Sequence, residues 1–92
     1  MSQHAGTPDP GGEIVVVIDD ELSVRELLCT VLELDGYQVY VALNGPLGLG
    51  LIDAMRPAVV VLDVMMPGMN GVDVCYLIDH EQVWVIVLTA RD

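Results

Sequence analysis

Lysine is absent from the 92 residues, and three arginines supply all the fixed positive charge against fourteen Asp and Glu. The resulting formal charge of −11 argues against direct nucleic-acid binding by this segment, because neutralising phosphates needs cations. Missing too is a basic start followed by an apolar stretch in the first thirty residues, so no secretory signal is read. Apolar runs such as residues 83–88 are far too short to span a bilayer, and the expected location is cytoplasmic, without membrane contact. Cysteine is scarce. Cys29 and Cys75 fall in separate predicted helices and form no CxxC pair, so they read as small buried hydrophobes rather than as a disulfide or a zinc site. No internal repeat is visible.

What the chain does have is apolar substance: 53% hydrophobic residues, enough for a well-covered core in at most one domain. Val59, Val60, Val61 and Leu62 form an unbroken aliphatic run that stops at Asp63, where Pro67, Gly68, Asn70 and Gly71 punctuate the chain. An apolar run without alternation is the pattern of a strand covered on both faces, as in a parallel sheet. Asp63 therefore sits at a strand's carboxyl end, the edge where ligands bind in open α/β sheets.

Residues 1–12 are rich in Ser, Thr, Gly and Pro and read as a flexible leader with one histidine, His4. A second apolar run, Ile14 to Ile18, again ends in acid at Asp19, Asp20 and Glu21. Residues 21–35 carry Val24, Leu27, Leu28, Val31, Leu32 and Leu34 at helical spacing, with Asp20 as a candidate N-cap, Arg25, Glu26 and Glu33 on the wet face, and Gly36 as the stop. Residues 37–43 form a shorter, more alternating strand, as expected towards a sheet edge. Asn44, Gly45 and Pro46 open a helix to Met55, with Leu47, Leu51 and Ala54 or Met55 as its inner stripe. Gly48 and Gly50 interrupt it, each costing about 1 kcal/mol relative to Ala, which packing must offset. A strand from Ala58 delivers Asp63; Asn70 can cap a third helix reaching about His80, with Val74, Leu77 and Ile78 inward. A last apolar run ends at Leu88, Thr89 and Ala90.

Strand and helix alternate with short links, which predicts an α/β doubly wound parallel sheet. In the flavodoxin-like order 2-1-3-4-5 the first and third strands are neighbours, and Asp19, Asp20 and Asp63 converge. Three carboxylates so close repel, and a hard cation such as Mg²⁺, which takes oxygen ligands and keeps waters, would relieve them. A carboxylate beside Mg²⁺ can attack a phosphoryl group and hold it, and Thr89 could donate its hydroxyl to the phosphoryl oxygens. Read singly, Asp20 is an ordinary cap; to read all three acids as caps and solvated turn residues would need three coincidences.

Residues 14–21, 59–71 and 88–90 resemble the receiver domain of bacterial two-component response regulators, a likeness running from about Glu13 to the end. The resemblance implies that Asp63 is the phosphoacceptor for a histidine kinase, and that Asp19 and Asp20 position Mg²⁺ with the backbone carbonyl of Met65. It implies that Thr89 is the switch hydroxyl, and that phosphorylation reshapes the surface beyond the fourth strand to alter dimerisation or an output domain. Such a module is a switch rather than an enzyme. DNA binding, if any, would fall to an output domain outside this segment.

The chain departs from the family in having no lysine and in ending before a fifth strand and last helix, about thirty residues short of the usual domain. Residues 13–92 thus read as a partial receiver with strand order 2-1-3-4. The lost neighbours would leave the strand at residues 83–88 with an open edge and the first helix without its companion. The expected outcomes are an aggregation-prone monomer, a homodimer or strand-swapped dimer, or a fragment whose remainder is merely unseen. A pseudo-receiver, keeping the fold as a phosphorylation-independent interaction module, is the rival reading. Others fit less well: Gly48-Leu-Gly50 lacks the third glycine of a dinucleotide fingerprint, Asp53 standing there. A haloacid-dehalogenase-like phosphatase would want an acid where Met65 stands. Met65, Met66 and Met69 read as loop packing rather than a copper site, and His80 as exposed at a helix end.

Overall fold

The computed structural model describes residues 12–66 and 71–88. Four parallel strands, β1 (Ile14–Ile18), β2 (Gln38–Ala42), β3 (Val59–Asp63) and β4 (Trp84–Leu88), form one sheet in the order β2-β1-β3-β4. Helices α1 (Leu22–Leu34), α2 (Gly45–Met55) and α3 (Gly71–Leu77) connect them. The expected 2-1-3-4 order is the observed one. The leader before Gly12, the proposed cap Asn70 and the switch candidate Thr89 lie outside the described residues.

The unbroken apolar runs of β1 and β3 follow from coverage on both sides. Alternate residues of a strand point to opposite faces. Val16, Ile18, Val60 and Leu62 face α2 and α3, where Leu49, Leu51, Ile52 and Val74 pack on them. Val15, Val17 and Val61 face α1, meeting Leu28 and Leu32. Neither face can be polar.

α1 corrects the sequence reading at its start. Its N-cap residue is Glu21, without a side-chain cap bond, one residue past the expected Asp20. Instead, the Glu21 N–H donates to Asp19 Oδ1 at 2.9 Å, closing the turn on Asp19's side chain one residue earlier than expected. The end is as expected: Gly36 takes φ 92°, Tyr37 N–H donates to the Leu32 carbonyl and Gly36 N–H to that of Glu33, a Schellman motif. Of the six apolar residues read as one stripe, Leu28 and Leu32 face the sheet, whereas Leu27, Val31 and Leu34 are exposed. Those three, spaced four and three apart, form a second stripe turned away from the core. Arg25 is half-buried rather than on the wet face.

Asn44 caps α2 through its Oδ1, which accepts the Leu47 N–H at 2.9 Å, and Pro46 lies in the first turn. The inner face differs from the expected one. Leu47 and Ala54 are exposed, whereas Gly45 and Gly48 are buried and Leu49, Leu51 and Ile52 pack against the core. A Cβ at Gly48 would fall on the Ile18 side chain, closer than real Cβ atoms approach, so this glycine lets α2 lie directly on β1. Gly50 has open space around its would-be Cβ and carries only the propensity cost.

α3 ends at Leu77, short of His80, and Leu77 is exposed while Val74 and Ile78 are buried. The exposed His80 donates a ring N–H to the Cys75 carbonyl at 2.8 Å, closing the helix end. Cys29 and Cys75 are half-buried and free rather than fully buried. Among the described residues no helix is long and apolar enough to cross a membrane.

Candidate functional site at the carboxyl edge of the sheet

β1 and β3 pair in register, with Val17 opposite Val61 and Ile18 opposite Leu62. The next residue of each strand is an acid, so the register itself sets Asp19 beside Asp63. Both are fully buried, at 0% exposure, and Asp20, exposed, completes a group with one carboxylate oxygen from each within 4.8 Å of the others. Two unit charges at that separation repel by about 3 kcal/mol at an effective dielectric near 20. An all-oxygen donor set of this kind matches a hard divalent cation better than a soft metal.

Each buried carboxylate is oriented from the main chain. Asp63 Oδ1 accepts the Met65 N–H at 2.8 Å, and Asp19 Oδ1 accepts the Glu21 N–H. The Asp19 N–H donates to the Ala42 carbonyl at 3.1 Å, and the N–H of Val64, the residue after Asp63, to that of Leu88 at 3.2 Å, tying the ends of β1 and β3 to neighbouring strand ends. Met65 itself is 62% exposed and Met66 is buried in the core, so of this pair Met66 is the packing residue. Met69 lies outside the described residues. Leu88, paired with Asp63, directly precedes Thr89.

Two participants escaped the sequence reading. Arg25 reaches back from the first turn of α1 and donates through Nη1 to the Asp19 backbone carbonyl at 2.7 Å. Its signal was present, an arginine six residues after Asp19 in a chain with three cations, but helical spacing alone put it on the wet face. Gly71 is the other. A Cβ there would meet the Asp63 carbonyl at 2.7 Å and the Val64 backbone closer still, so α3 starts flush against the end of β3.

Known proteins resemble this chain in sequence and fold. The family model described as the response regulator receiver domain matches residues 15–92. The response regulator MprA of Mycolicibacterium vanbaalenii is 44% identical over 80 residues, covering 85% of this chain and 35% of that protein. The DNA-binding response regulator MtrA of Mycobacterium tuberculosis is 38% identical over 78 residues, covering 84% and 34%. The chain thus spans about a third of the length of these relatives. Among solved structures, the response regulator TrrA of Thermotoga maritima in complex with Mg²⁺-BeF superposes with a TM-score of 0.79 at 34% identity, covering 87% of this chain and 71% of that one. The Vibrio cholerae chemotaxis protein CheY4 also gives 0.79, at 27% identity over 89% and 72%. A sheet of order β2-β1-β3-β4 whose register gathers three aspartates at its carboxyl edge, and a family match over most of its length, make this chain a member of the response regulator receiver domain family.

Proposed function

We propose that Asp63 accepts a phosphoryl group from a histidine kinase in a Mg²⁺-dependent reaction, making the chain a phosphorylation switch of a two-component system in the cytoplasm. The observation that carries this reading is the position of Asp63: fully buried at the end of β3, with one oxygen held by the Met65 N–H, inside a group of three carboxylates. The bond to Oδ1 helps orient the carboxylate at the end of β3. In the reaction a carboxylate oxygen of Asp63 forms a bond to phosphorus while the phosphorus–nitrogen bond of the kinase's phosphohistidine breaks. The electron pair of that bond leaves with the imidazole, which takes up a proton.

The carboxylates of Asp19, Asp20 and Asp63 and the backbone carbonyl of Met65 would hold the ion. When bound, Mg²⁺ supplies the positive charge that offsets repulsion between these carboxylates and the phosphoryl oxygens. Thr89, next to Leu88, would be the hydroxyl that donates to the phosphoryl group and passes the change to the surface around β4. The module switches rather than turning over a substrate. Residues 13–92 would be the receiver unit and residues 1–12 a leader. DNA binding, as in the relative named for it, would belong to an output domain beyond these residues. The uncharged β4, with Trp84 80% and Ile86 54% exposed, is the edge through which two copies would associate, as a homodimer or strand-swapped dimer.

Incubation with Mg²⁺ and acetyl phosphate, followed by intact mass, tests the acceptor. The wild type gains one phosphoryl group and Asp63→Asn gains none. Gain by both proteins, or by neither, would overturn the reading, and gain by neither would favour the rival phosphorylation-independent module.

A further inference from the structure

We propose that Arg25 is a positioning residue for the acid group, holding the β1–α1 turn in the shape that lets Asp19 and Asp20 share one cation. The proposal rests on the Mg²⁺ reading for its metal-binding half and on geometry alone for the other. Asp19 is gripped from three directions. Its N–H goes to Ala42 at the end of β2, its Oδ1 takes the Glu21 N–H, and its carbonyl takes the Arg25 guanidinium. Arg25 is in turn fixed on α1, where its own N–H donates to the Glu21 carbonyl at 3.1 Å. Glu21, α1 and the end of β1 therefore form a closed ring of hydrogen bonds around the turn.

The carbonyl that Arg25 holds belongs to the same planar peptide as the Asp20 N–H, so its direction sets the direction of the Asp20 backbone. Asp20 is exposed and follows directly from this peptide; Arg25 is the side chain that orients the peptide from the helix. A charge-assisted bond at 2.7 Å is of the strong class, and its loss would free the turn. The guanidinium also brings a positive charge to the Asp19 backbone carbonyl, at the edge of the acid group.

These two effects have opposite signs for a bound cation, and that makes the role testable. A guanidinium acting only as a local charge repels Mg²⁺, so its removal would tighten binding. A guanidinium acting as a clamp makes binding weaker when it is lost. Calorimetric Mg²⁺ titration of wild type, Arg25→Ala and Arg25→Lys should give Kd values raised about tenfold for Ala, with partial rescue by Lys, which keeps the charge and a donor group but not the planar fork. A Kd unchanged or lowered in Arg25→Ala would overturn the proposal.

Amide hydrogen exchange of the metal-free proteins separates this from the metal reading. The Glu21 N–H, which donates to Asp19 Oδ1, should exchange about fivefold faster or more in Arg25→Ala, while amides of β3 keep their rates. Equal Glu21 rates in the two proteins would overturn the clamp whatever the titration shows. A wild type that binds no Mg²⁺ but shows the exchange difference would contradict the ion and leave the clamp established.

Discussion

β3 and β4 look alike as sequence, Val-Val-Val-Leu-Asp beside Trp-Val-Ile-Val-Leu, yet the structure treats them as opposites. β3 lies between β1 and β4, and all of it beyond Val59 is buried. β4 is hydrogen-bonded to β3 alone among the described residues and leaves Trp84, Ile86 and Val87 exposed. An apolar run thus announces a strand, while its place in the sheet decides how much each side chain stabilises. The same divide separates Gly48 from Gly50 in α2.

The sharpest way to break the comparison is to truncate one residue in each strand. Leu62→Ala should cost about 2–5 kcal/mol, because a fully buried side chain leaves a cavity between β3 and the α2–α3 layer. Ile86→Ala should cost under about 1 kcal/mol, since its side chain is already in water to a large degree. Urea unfolding monitored by circular dichroism measures both, and equal losses would refute the difference between the strands.

In α2 the contrast is one of sign. Gly48→Ala should destabilise by about 1–3 kcal/mol by forcing Ile18 aside, and Gly50→Ala should stabilise by about 0.5–1 kcal/mol through helix propensity. Thermal melts of the two variants check this; a gain for both would mean that α2 does not rest on β1 as closely as described. Asn44→Ala, removing the cap bond to Leu47, should cost about 1 kcal/mol by the same measurement.

The smallest effect concerns Cys29. Burial, and then the adjacent Glu33, push its thiol above the ordinary value, so it stays protonated to higher pH than in the unfolded chain. Its alkylation by iodoacetamide should follow a pH profile whose midpoint lies above that of the urea-unfolded protein. A midpoint at or below the unfolded one would mean that α1 does not cover this side chain.

Much of the architecture could be read from the sequence because period and punctuation are local properties. The runs ending at Ile18 and Asp63, Gly36 after α1 and Asn44 before α2 each act within a few residues of themselves. The strand order followed from the flavodoxin-like arrangement that alternating strands and helices suggest, and with it the meeting of Asp19, Asp20 and Asp63. What the sequence hid depends on three-dimensional approach. Leu27 and Leu28 sit side by side with equal hydropathy, and only the rotation of α1 on the sheet decides that Leu28 faces inward. Gly48 read as a defect because its reason, the Ile18 side chain, lies thirty positions away. Arg25 read as a wet-face residue because helical spacing says nothing of a long side chain turning back to the preceding strand. The N-cap position fell to Glu21, one residue past Asp20, with the turn before it closed by the Glu21 N–H on the Asp19 carboxylate.

The central claim is that, of three carboxylates gathered by one register, Asp63 is the one that carries the phosphoryl group. After reaction with acetyl phosphate and Mg²⁺, borohydride reduction of the acyl phosphate and peptide mass spectrometry locate the acceptor directly. The account predicts the reduced residue at Asp63, with Asp19 and Asp20 intact. Reduction at Asp19 or Asp20, with Asp63 intact, would contradict it.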